Sequence, residues 1–293
     1  MLENESWIRL SVFGLVFFLL ALWEVKSPRR KLKNPKLRRW PVNIGLIIIS
    51  TLLIKFLFLG GAIVIADTVE KKEWGLLFYY FKDLPFWAHV IIAFILLDLS
   101  IYFQHVMFHT LPLLWRFHRV HHADTDCDVT TGIRFHPIEM LLSILIKFMT
   151  IVAIGAPVIA VLIFELVLNA TSMFTHSNVR LPGKMDPLVR WLFVTPDMHR
   201  VHHSSIRHET NSNFGFNFSF WDRLFGTYIK QPELGHDNMD IGLKKFKQAK
   251  WGSLRWLLYM PFITEVPNYL IGTKRSNETT SSEEETDESD IKR

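Results

Sequence analysis

The chain has 293 residues, of which 49% are hydrophobic and 21% are charged, so it is too apolar for an intrinsically disordered protein. A single cysteine excludes an internal disulfide framework and any cysteine-rich zinc or iron–sulfur site. The formal net charge is +5, but residues 276–293 hold seven acids and two bases, which leaves +10 on the residues before them. A basic, apolar body is more typical of a membrane protein than of a nucleic-acid-binding protein.

The first apolar run, residues 11–23, reaches a membrane-spanning length once Trp7 and Ile8 are included, with Arg9 near its end. A cleaved signal peptide is the weaker interpretation, because acids precede the run and no small-residue cleavage site follows it. Residues 26–39 carry eight Lys or Arg without the interleaved aromatic residues of a nucleic-acid patch. The positive-inside rule makes this stretch a cytoplasmic loop and residues 11–23 a retained anchor helix.

Three more apolar regions follow. Residues 42–66 are expected to span outward, with Lys55 either facing protein or indicating that the span is shifted. Residues 67–85 form an outer connection, and residues 86–104 return to the cytoplasmic side. Residues 138–170 are broken by Gly155-Ala156-Pro157 and have the length of one long tilted helix or of a helical hairpin.

Topology favours the hairpin. Histidine clusters precede and follow residues 138–170, and a single crossing would place them on opposite sides of the membrane. If the clusters form one site, the chain must enter and return, with Gly-Ala-Pro at the turn. The sequence therefore predicts an all-α integral membrane protein with about four transmembrane segments, one of them a helical hairpin, and a cytosolic helical cap that carries the histidines.

Most of the 13 histidines lie in three clusters whose spacings place their members on one helical face. The first cluster is HxxxH, and the second and third are both HRVHH. The eight residues are His105, His109, His118, His121, His122, His199, His202 and His203. Neutral imidazole is a common ligand of transition metals, and eight ligands exceed the three or four that one zinc ion uses. The spacing therefore predicts a centre with two metal ions.

His176 and His136 are additional candidates for metal ligands. His136 could instead be a partner of a ligand or a helix-entry residue before Pro137. His89, His208 and His236 are read as ordinary surface or core residues. Among the carboxylates, Asp98, Glu139 and Asp197 are candidates to accept the second N–H of a ligand histidine, and the acids at 124, 126 and 128 are weaker candidates. Asp98 and Tyr102 lie on the same helical stripe as the first cluster.

The order HxxxH, HxxHH, HxxHH after a membrane span resembles the fatty acid hydroxylase and sterol desaturase superfamily of membrane non-haem di-iron enzymes. The segments RFHPIE at 134–139, THSN at 175–178, NFG at 213–215 and WDRLFGT at 221–227 support the resemblance, which covers about residues 90–230. It implies that the eight box histidines and His176 hold two iron ions facing the cytosol. It also implies dioxygen as co-substrate, a lipid substrate such as an acyl chain or sterol, and electrons from a separate ferredoxin or cytochrome b5-type carrier with its reductase.

The resemblance leaves hydroxylation and desaturation both open, with a lean toward hydroxylation. It also leaves the membrane open, either a bacterial inner membrane or the endoplasmic reticulum. Zinc can replace iron at imidazole sites, so a zinc hydrolase is one alternative, although HExxH is absent. A metal transporter or sensor is the other, although its ligands would lie inside the spans.

The expected organisation has four parts. Residues 1–85 form the first transmembrane helices and the basic loop, and residues 86–235 form the catalytic core. Residues 236–275 include the basic stretch 244–250, which is either an amphipathic segment on the membrane surface or an ordinary helix of the cap. Residues 276–293 are expected to be a disordered acidic tail.

Overall fold

A computed structural model describes residues 4–58 and 61–263, so the acidic stretch 276–293 lies outside the described residues. The described chain is helical, with β-structure limited there to isolated bridges. Its longest helices are α1 (Glu5–Lys26), α2 (Lys36–Leu57), α5 (Phe86–Thr110), α7 (Pro137–Ile154) and α8 (Val158–His176). The shorter ones are α3 (Gly61–Lys71), α4 (Leu76–Tyr80), α6 (Pro112–His122), α9 (Met185–Val189), α10 (Pro196–His202), α11 (Arg207–Thr210), α12 (Phe220–Leu224), α13 (Gly235–Asn238) and α14 (Leu254–Tyr259).

Five helical segments of the described chain are long and apolar enough to cross a membrane. Four are Glu5–Lys26, Phe86–Thr110, Pro137–Ile154 and Val158–His176, and the fifth lies within Lys36–Tyr80, the range that holds α2, α3 and α4. Pro137–Ile154 and Val158–His176 are the halves of the predicted hairpin. The predicted all-α membrane fold is therefore confirmed.

The hairpin turns at Gly155, which ends α7 in the left-handed conformation with φ of 77°. Pro157 precedes α8 in an extended conformation that starts a new helix. A side chain at Gly155 would bring a Cβ atom to 2.6 Å from the Trp74 carbonyl oxygen, so the close approach of the two loops also requires glycine.

The second predicted span differs in its bounds. It begins at Lys36 rather than at residue 42, and a second helix, α3, starts at Gly61. Lys55 consequently lies in the last turn of α2 with an exposed side chain. Of the two expectations for this lysine, the shifted span is the one that the structure supports.

The basic segment and the histidine clusters lie at the same end of the helices. Helices α1 and α8 run parallel, because Arg9 pairs with Glu165 at 2.7 Å and Glu24, near the other end of α1, accepts a hydrogen bond from the Asn178 backbone. Just after α1, Arg29 pairs with Asp197, which is in the first turn of α10. The hairpin thus returns the chain to the end from which it started.

The basic stretch 244–250 packs on this end rather than extending away from it. Phe246 and Trp251 are buried in a cluster with Leu46 of α2 and Trp115 of α6, whereas Lys244, Lys247 and Lys250 are exposed. The stretch therefore has a buried apolar side, which packs on the protein, and an exposed basic side. Its contact with a membrane surface stays a prediction.

Candidate metal centre

Nine buried histidines form two adjoining groups. Within each group, one ring nitrogen from every member lies within 4.8 Å of those of all the others. The first group is His105, His109, His118, His122 and His202; the second is His121, His176, His199 and His203. The two groups contain all eight box histidines and His176.

Four helices deliver these side chains to one point. Helix α5 carries the HxxxH pair in its last two turns, and α8 ends on His176. Helix α6 carries the first HRVHH box, and α10 carries the second except for His203, which directly follows it. Each helix begins with a proline at its first position, where the missing N–H costs nothing. In each box the i, i+3 and i+4 residues share a face. The middle histidine of each box joins one group, and the first and third histidines join the other.

Six of the nine histidines hold Nδ1 against an acceptor. The pairs are His105 with Phe214 O at 2.9 Å, His109 with Asn211 Oδ1 at 3.0 Å, His118 with Glu139 Oε1 at 2.6 Å, His121 with Arg134 O at 3.2 Å, His176 with Ser172 O at 2.7 Å and His202 with Ser212 O at 2.7 Å. A carbonyl oxygen only accepts, so Nδ1 carries the hydrogen in these rings. Nε2 is then left as the lone-pair nitrogen.

The lone-pair nitrogens face one another. Nε2 of His176 lies 3.0 Å from Nε2 of His121 and 2.9 Å from Nε2 of His199. Because the hydrogen of both His121 and His176 is already committed at Nδ1, no hydrogen bond can join their Nε2 atoms. Two facing lone pairs repel each other, whereas a cation between them would stabilise the arrangement.

The spacing and the buried, unpartnered nitrogens fit metal binding. When metal–nitrogen bonds are about 2.1 Å long, ligand nitrogens at right angles to each other lie about 3.0 Å apart. The Nε2 atoms of His109 and His122, 3.1 Å apart, have the same spacing in the five-histidine group. Nε2 of His105, His118 and His202 is buried without a hydrogen-bond partner in the described chain. Both groups therefore have the donor set and the spacing that an imidazole-ligated transition metal requires.

Burial keeps five of the clustered histidines neutral. It lowers the pKa of His121, His122, His199, His202 and His203 well below the ordinary 6.5, and neighbouring imidazoles lower it further. Only neutral imidazole can bind a metal, so the protein supplies the binding-competent form at neutral pH.

Glu139 is the only predicted carboxylate partner that hydrogen-bonds a clustered histidine in the described chain. Its Oε1 accepts from Nδ1 of His118, and both side chains are buried. Carboxylates in this position orient a metal-binding histidine and raise its basicity. The RFHPIE segment contributes a second such contact, since the Arg134 carbonyl oxygen accepts from His121.

Asp98 has a different partner from the one expected. Its carboxylate accepts hydrogen bonds from the backbone of Asn217 and Phe218 and from Nε1 of Trp221. Asp222 holds the neighbouring part of the same loop through the backbone N–H groups of residues 214 and 215. Since the carbonyl oxygen of residue 214 accepts from His105, both carboxylates support that histidine indirectly, through the loop.

The remaining acids tie the centre to the basic segment. Asp124 binds Arg39 through two hydrogen bonds, and Asp128 also pairs with that guanidinium. Burial alone would raise the pKa of Asp124, but Arg39 and Arg134 lower it to about 2. Asp197 pairs with Arg29 and Arg200 rather than with a histidine of either group.

The structure does not bring His136 into either group. Its Nδ1 caps α7 by accepting from the backbone of residue 138, and its Nε2 lies 3.3 Å from the Leu258 carbonyl oxygen. His89 contacts a backbone carbonyl oxygen, and His208 pairs with Glu233 on an exposed surface. His236 is buried beside Asp197, which lies 3.8 Å away.

The backbone acceptors could not have been located from the sequence. The carbonyl oxygens of residues 134, 172, 212 and 214 are available in any chain, and only the fold shows that they meet a histidine. Asn211 also escaped the sequence reasoning. Its only signal is a position close to the third box and before the NFG segment.

The Fatty acid hydroxylase family has a sequence model that matches residues 90–227. The chain is 33% identical over 191 residues to ornithine lipid hydroxylase OlsE from Rhizobium tropici, which covers 65% of this chain and 55% of that protein. It is 31% identical over 143 residues to alkylglycerol monooxygenase from Xenopus tropicalis, covering 48% of this chain and 31% of that protein. Cholesterol 25-hydroxylase from Rattus norvegicus is 28% identical over 147 residues, covering 50% of this chain and 48% of that protein.

The region that contains the histidine groups thus defines a protein of the membrane histidine-box type. Residues 90–227 match the fatty acid hydroxylase family, which confirms the resemblance seen in the sequence. The chain spans about half or less of the length of these relatives. No solved structure matches the chain.

Proposed function

We propose that the protein is a membrane-bound di-iron oxygenase that hydroxylates a C–H bond of a lipid. The observation that carries the proposal is the pair of groups of five and four buried histidines with converging lone pairs. The relatives whose names describe lipid hydroxylases or monooxygenases supply the reaction class. Desaturation shares the same first step, abstraction of hydrogen, and is the variant outcome.

Two iron ions would be held by the nine histidines, with His136 outside the centre. When bound, the irons would supply activation of dioxygen. The chain's own part is to hold the Nε2 atoms of six of these histidines toward the ions through their Nδ1 contacts and to shield all nine rings from water. All nine histidines are at most 5% exposed, so water has little access to them.

The two alternative functions have weaker support. A zinc hydrolase needs a carboxylate or a similar base beside the ion, whereas Glu139 contacts the nitrogen of His118 that points away from the group. A group of five imidazoles also exceeds the four ligands of a structural zinc site. A transporter would carry its ligands near the midplane of the spans, but here the histidines lie at the ends of α5 and α8 and beyond them.

We further propose that the centre faces the cytoplasm and receives electrons from a separate ferredoxin or cytochrome b5-type carrier. The basic segment 26–39 lies at the same end as the histidine groups, and the positive-inside rule assigns that end to the cytoplasm. A lipid is the natural substrate for such a centre, because its apolar part can stay between the membrane helices.

Lipid mass spectrometry of cells with and without the protein tests the reaction. The proposal expects a lipid that gains one oxygen atom only when the intact protein is present, and that disappears with His118→Ala. His208→Ala is the matched control, since it removes an exposed histidine outside both groups. A lipid that loses two hydrogen atoms instead would establish desaturation. Unchanged lipids in cells with an iron-loaded enzyme and an active electron donor would contradict the proposal.

A further inference from the structure

A shallow groove runs along the seam between α1 and α8. Its lining residues repeat at helical spacing on both sides. They are Arg9, Val12, Phe13 and Val16 from α1 and Leu166, Asn169, Ala170 and Met173 from α8. Both helices belong to the membrane-spanning set, so lipid rather than water faces this seam. The groove lies outside the matched family region on its α1 side.

Asn169 is the first unusual feature of the groove. It is exposed on the surface of a membrane-spanning helix, and its amide makes no hydrogen bond with any described residue. An amide has two N–H donors and a carbonyl acceptor, and leaving them without partners in hydrocarbon is costly. The position therefore calls for a ligand that brings its own polar group into the membrane.

Arg9 is the second unusual feature. Its Nη1 pairs with the buried Glu165 at 2.7 Å and lies 3.4 Å from Glu5, while no described residue accepts a hydrogen bond from its Nε or Nη2. Its side chain is 34% exposed, toward the groove that it lines. Guanidinium binds phosphate and carboxylate groups through such a pair of parallel N–H donors.

Both carboxylates near Arg9 contact the same nitrogen of its guanidinium. Glu165 is shared by Arg9 and Lys147, whose Nζ lies 2.8 Å from the other carboxylate oxygen. Glu5, in the first turn of α1, is the second carboxylate near Arg9 and also contacts Nη1. Nε and Nη2 therefore have no acceptor among the described residues and can donate to an anionic group in the groove.

We propose that this groove binds one membrane lipid, whose anionic head group pairs with Arg9 and whose ester or amide carbonyl accepts a hydrogen bond from Asn169. Asn169 is one turn from Glu165, so the two polar contacts are about 6 Å apart along α8. The lipid's chain then follows α8 toward Met173, which is fully buried one turn before His176. The site does not depend on the metal or on the oxygenase reaction.

Native mass spectrometry of the purified full chain tests the proposal, with phosphatidylglycerol, oleate and dioleoylglycerol as probes. The phosphate or the carboxylate probe should bind one molecule per chain, at least about tenfold more tightly than the uncharged probe. Binding by phosphatidylglycerol alone would identify a phosphate head group, and binding by oleate a carboxylate. Equal binding of all three lipids would overturn the proposal.

Three variants locate the site. Asn169→Leu should weaken the bound lipid about fivefold to tenfold, as expected for one lost hydrogen bond. Arg9→Lys keeps a charge for Glu165 but loses the paired donors, so it should also weaken binding. Ile163→Leu, on an exposed position of α8 outside the groove, should bind like the wild type. Wild-type binding by Asn169→Leu at an unchanged melting temperature and iron content would rule the site out.

Discussion

The Glu139 carboxylate accepts a hydrogen bond from His118 Nδ1 at 2.6 Å, and both side chains are almost completely buried. This contact joins the start of α7 to α6, so it couples the transmembrane hairpin to the second histidine box. It also fixes the tautomer of His118. Because Nδ1 donates its hydrogen to Glu139, Nε2 carries the lone pair and faces the other four histidines of its group.

Replacing Glu139 is expected to weaken the metal centre. Glu139→Ala removes the acceptor and should lower metal affinity by about 10- to 100-fold, the usual effect of losing such a partner. Glu139→Gln keeps an acceptor oxygen but not the charge, so its loss should be smaller. Metal titration monitored by bound iron per chain measures both. Equal iron affinity in the alanine variant and the wild type would contradict this role.

Gly132 is expected to tolerate no side chain. A Cβ atom there would lie 2.5 Å from the Ser172 carbonyl oxygen and 3.0 Å from the Met173 Cα, and backbone atoms cannot easily move away. The Ser172 oxygen is the acceptor of His176 Nδ1. Gly132→Ala should therefore lower the melting temperature and reduce metal binding by the four-histidine group.

Gly14→Ala is the control for that substitution. A Cβ atom at Gly14 meets nothing within 4 Å, and alanine favours the helix that contains it. Its thermal unfolding should match the wild type or occur slightly higher. If Gly132→Ala behaved like Gly14→Ala, the tight approach of residue 132 to α8 would be refuted.

Arg39 is expected to be essential for stability. It is a buried cation between Asp124 and Asp128, and removing one member of a buried ion pair typically costs about 3–5 kcal/mol. Arg39→Met should lower the free energy of unfolding by that amount. Arg38→Met, at the exposed neighbouring position, should change it by less than about 0.5 kcal/mol. Denaturant unfolding in detergent would show the account to be wrong if the two variants were equally stable.

The metal-free protein is expected to lose stability as the pH falls below 6.5. In the folded state burial holds the pKa of the box histidines outside the spans, such as His121 and His203, well below that value. In the unfolded chain the same groups take up protons near pH 6.5, so acid favours unfolding. Each group adds a slope of up to about 1.4 kcal/mol per pH unit.

Thermal unfolding of the metal-free protein between pH 7.5 and 5.5 measures this effect. Several histidines contribute, so the dependence should be steeper than one proton can produce. His208→Gln should not change it, because His208 is exposed. A melting temperature that is constant across this range would mean that the clustered histidines are not held neutral by the fold.

Much of this centre could be predicted from the sequence, because the histidines of each box lie close together along the chain. Spacing within the HxxxH and HxxHH boxes defined which histidines share a helical face. The need to bring the clusters to one side of the membrane predicted the hairpin, with residues 155–157 at its turn. Spacing alone did not separate His136 from His176, although the family resemblance pointed to His176 as a ligand. The fold shows that the His176 ring enters the centre while the His136 ring caps α7.

The rest of the centre depends on contacts between distant parts of the chain. Asp98 was a reasonable partner for a histidine, since a carboxylate within a span needs a buried donor. The donors are Nε1 of Trp221, which lies 123 positions away in the sequence, and the backbone N–H of Asn217 in the loop before it. The bounds of the second span were predicted wrongly for another reason. Hydropathy alone does not show where one apolar helix ends and the next begins.

The most direct test of the central claim is the fate of dioxygen in the reconstituted reaction. Iron-loaded protein in lipid bilayers, supplied with a reductase and its electron carrier under isotopically heavy dioxygen, should place one heavy oxygen atom in a lipid product. His118→Ala should form none, and His208→Ala should match the wild type. A wild-type protein that binds two irons per chain yet transfers no oxygen and removes no hydrogen from any lipid of its native membrane would contradict the account.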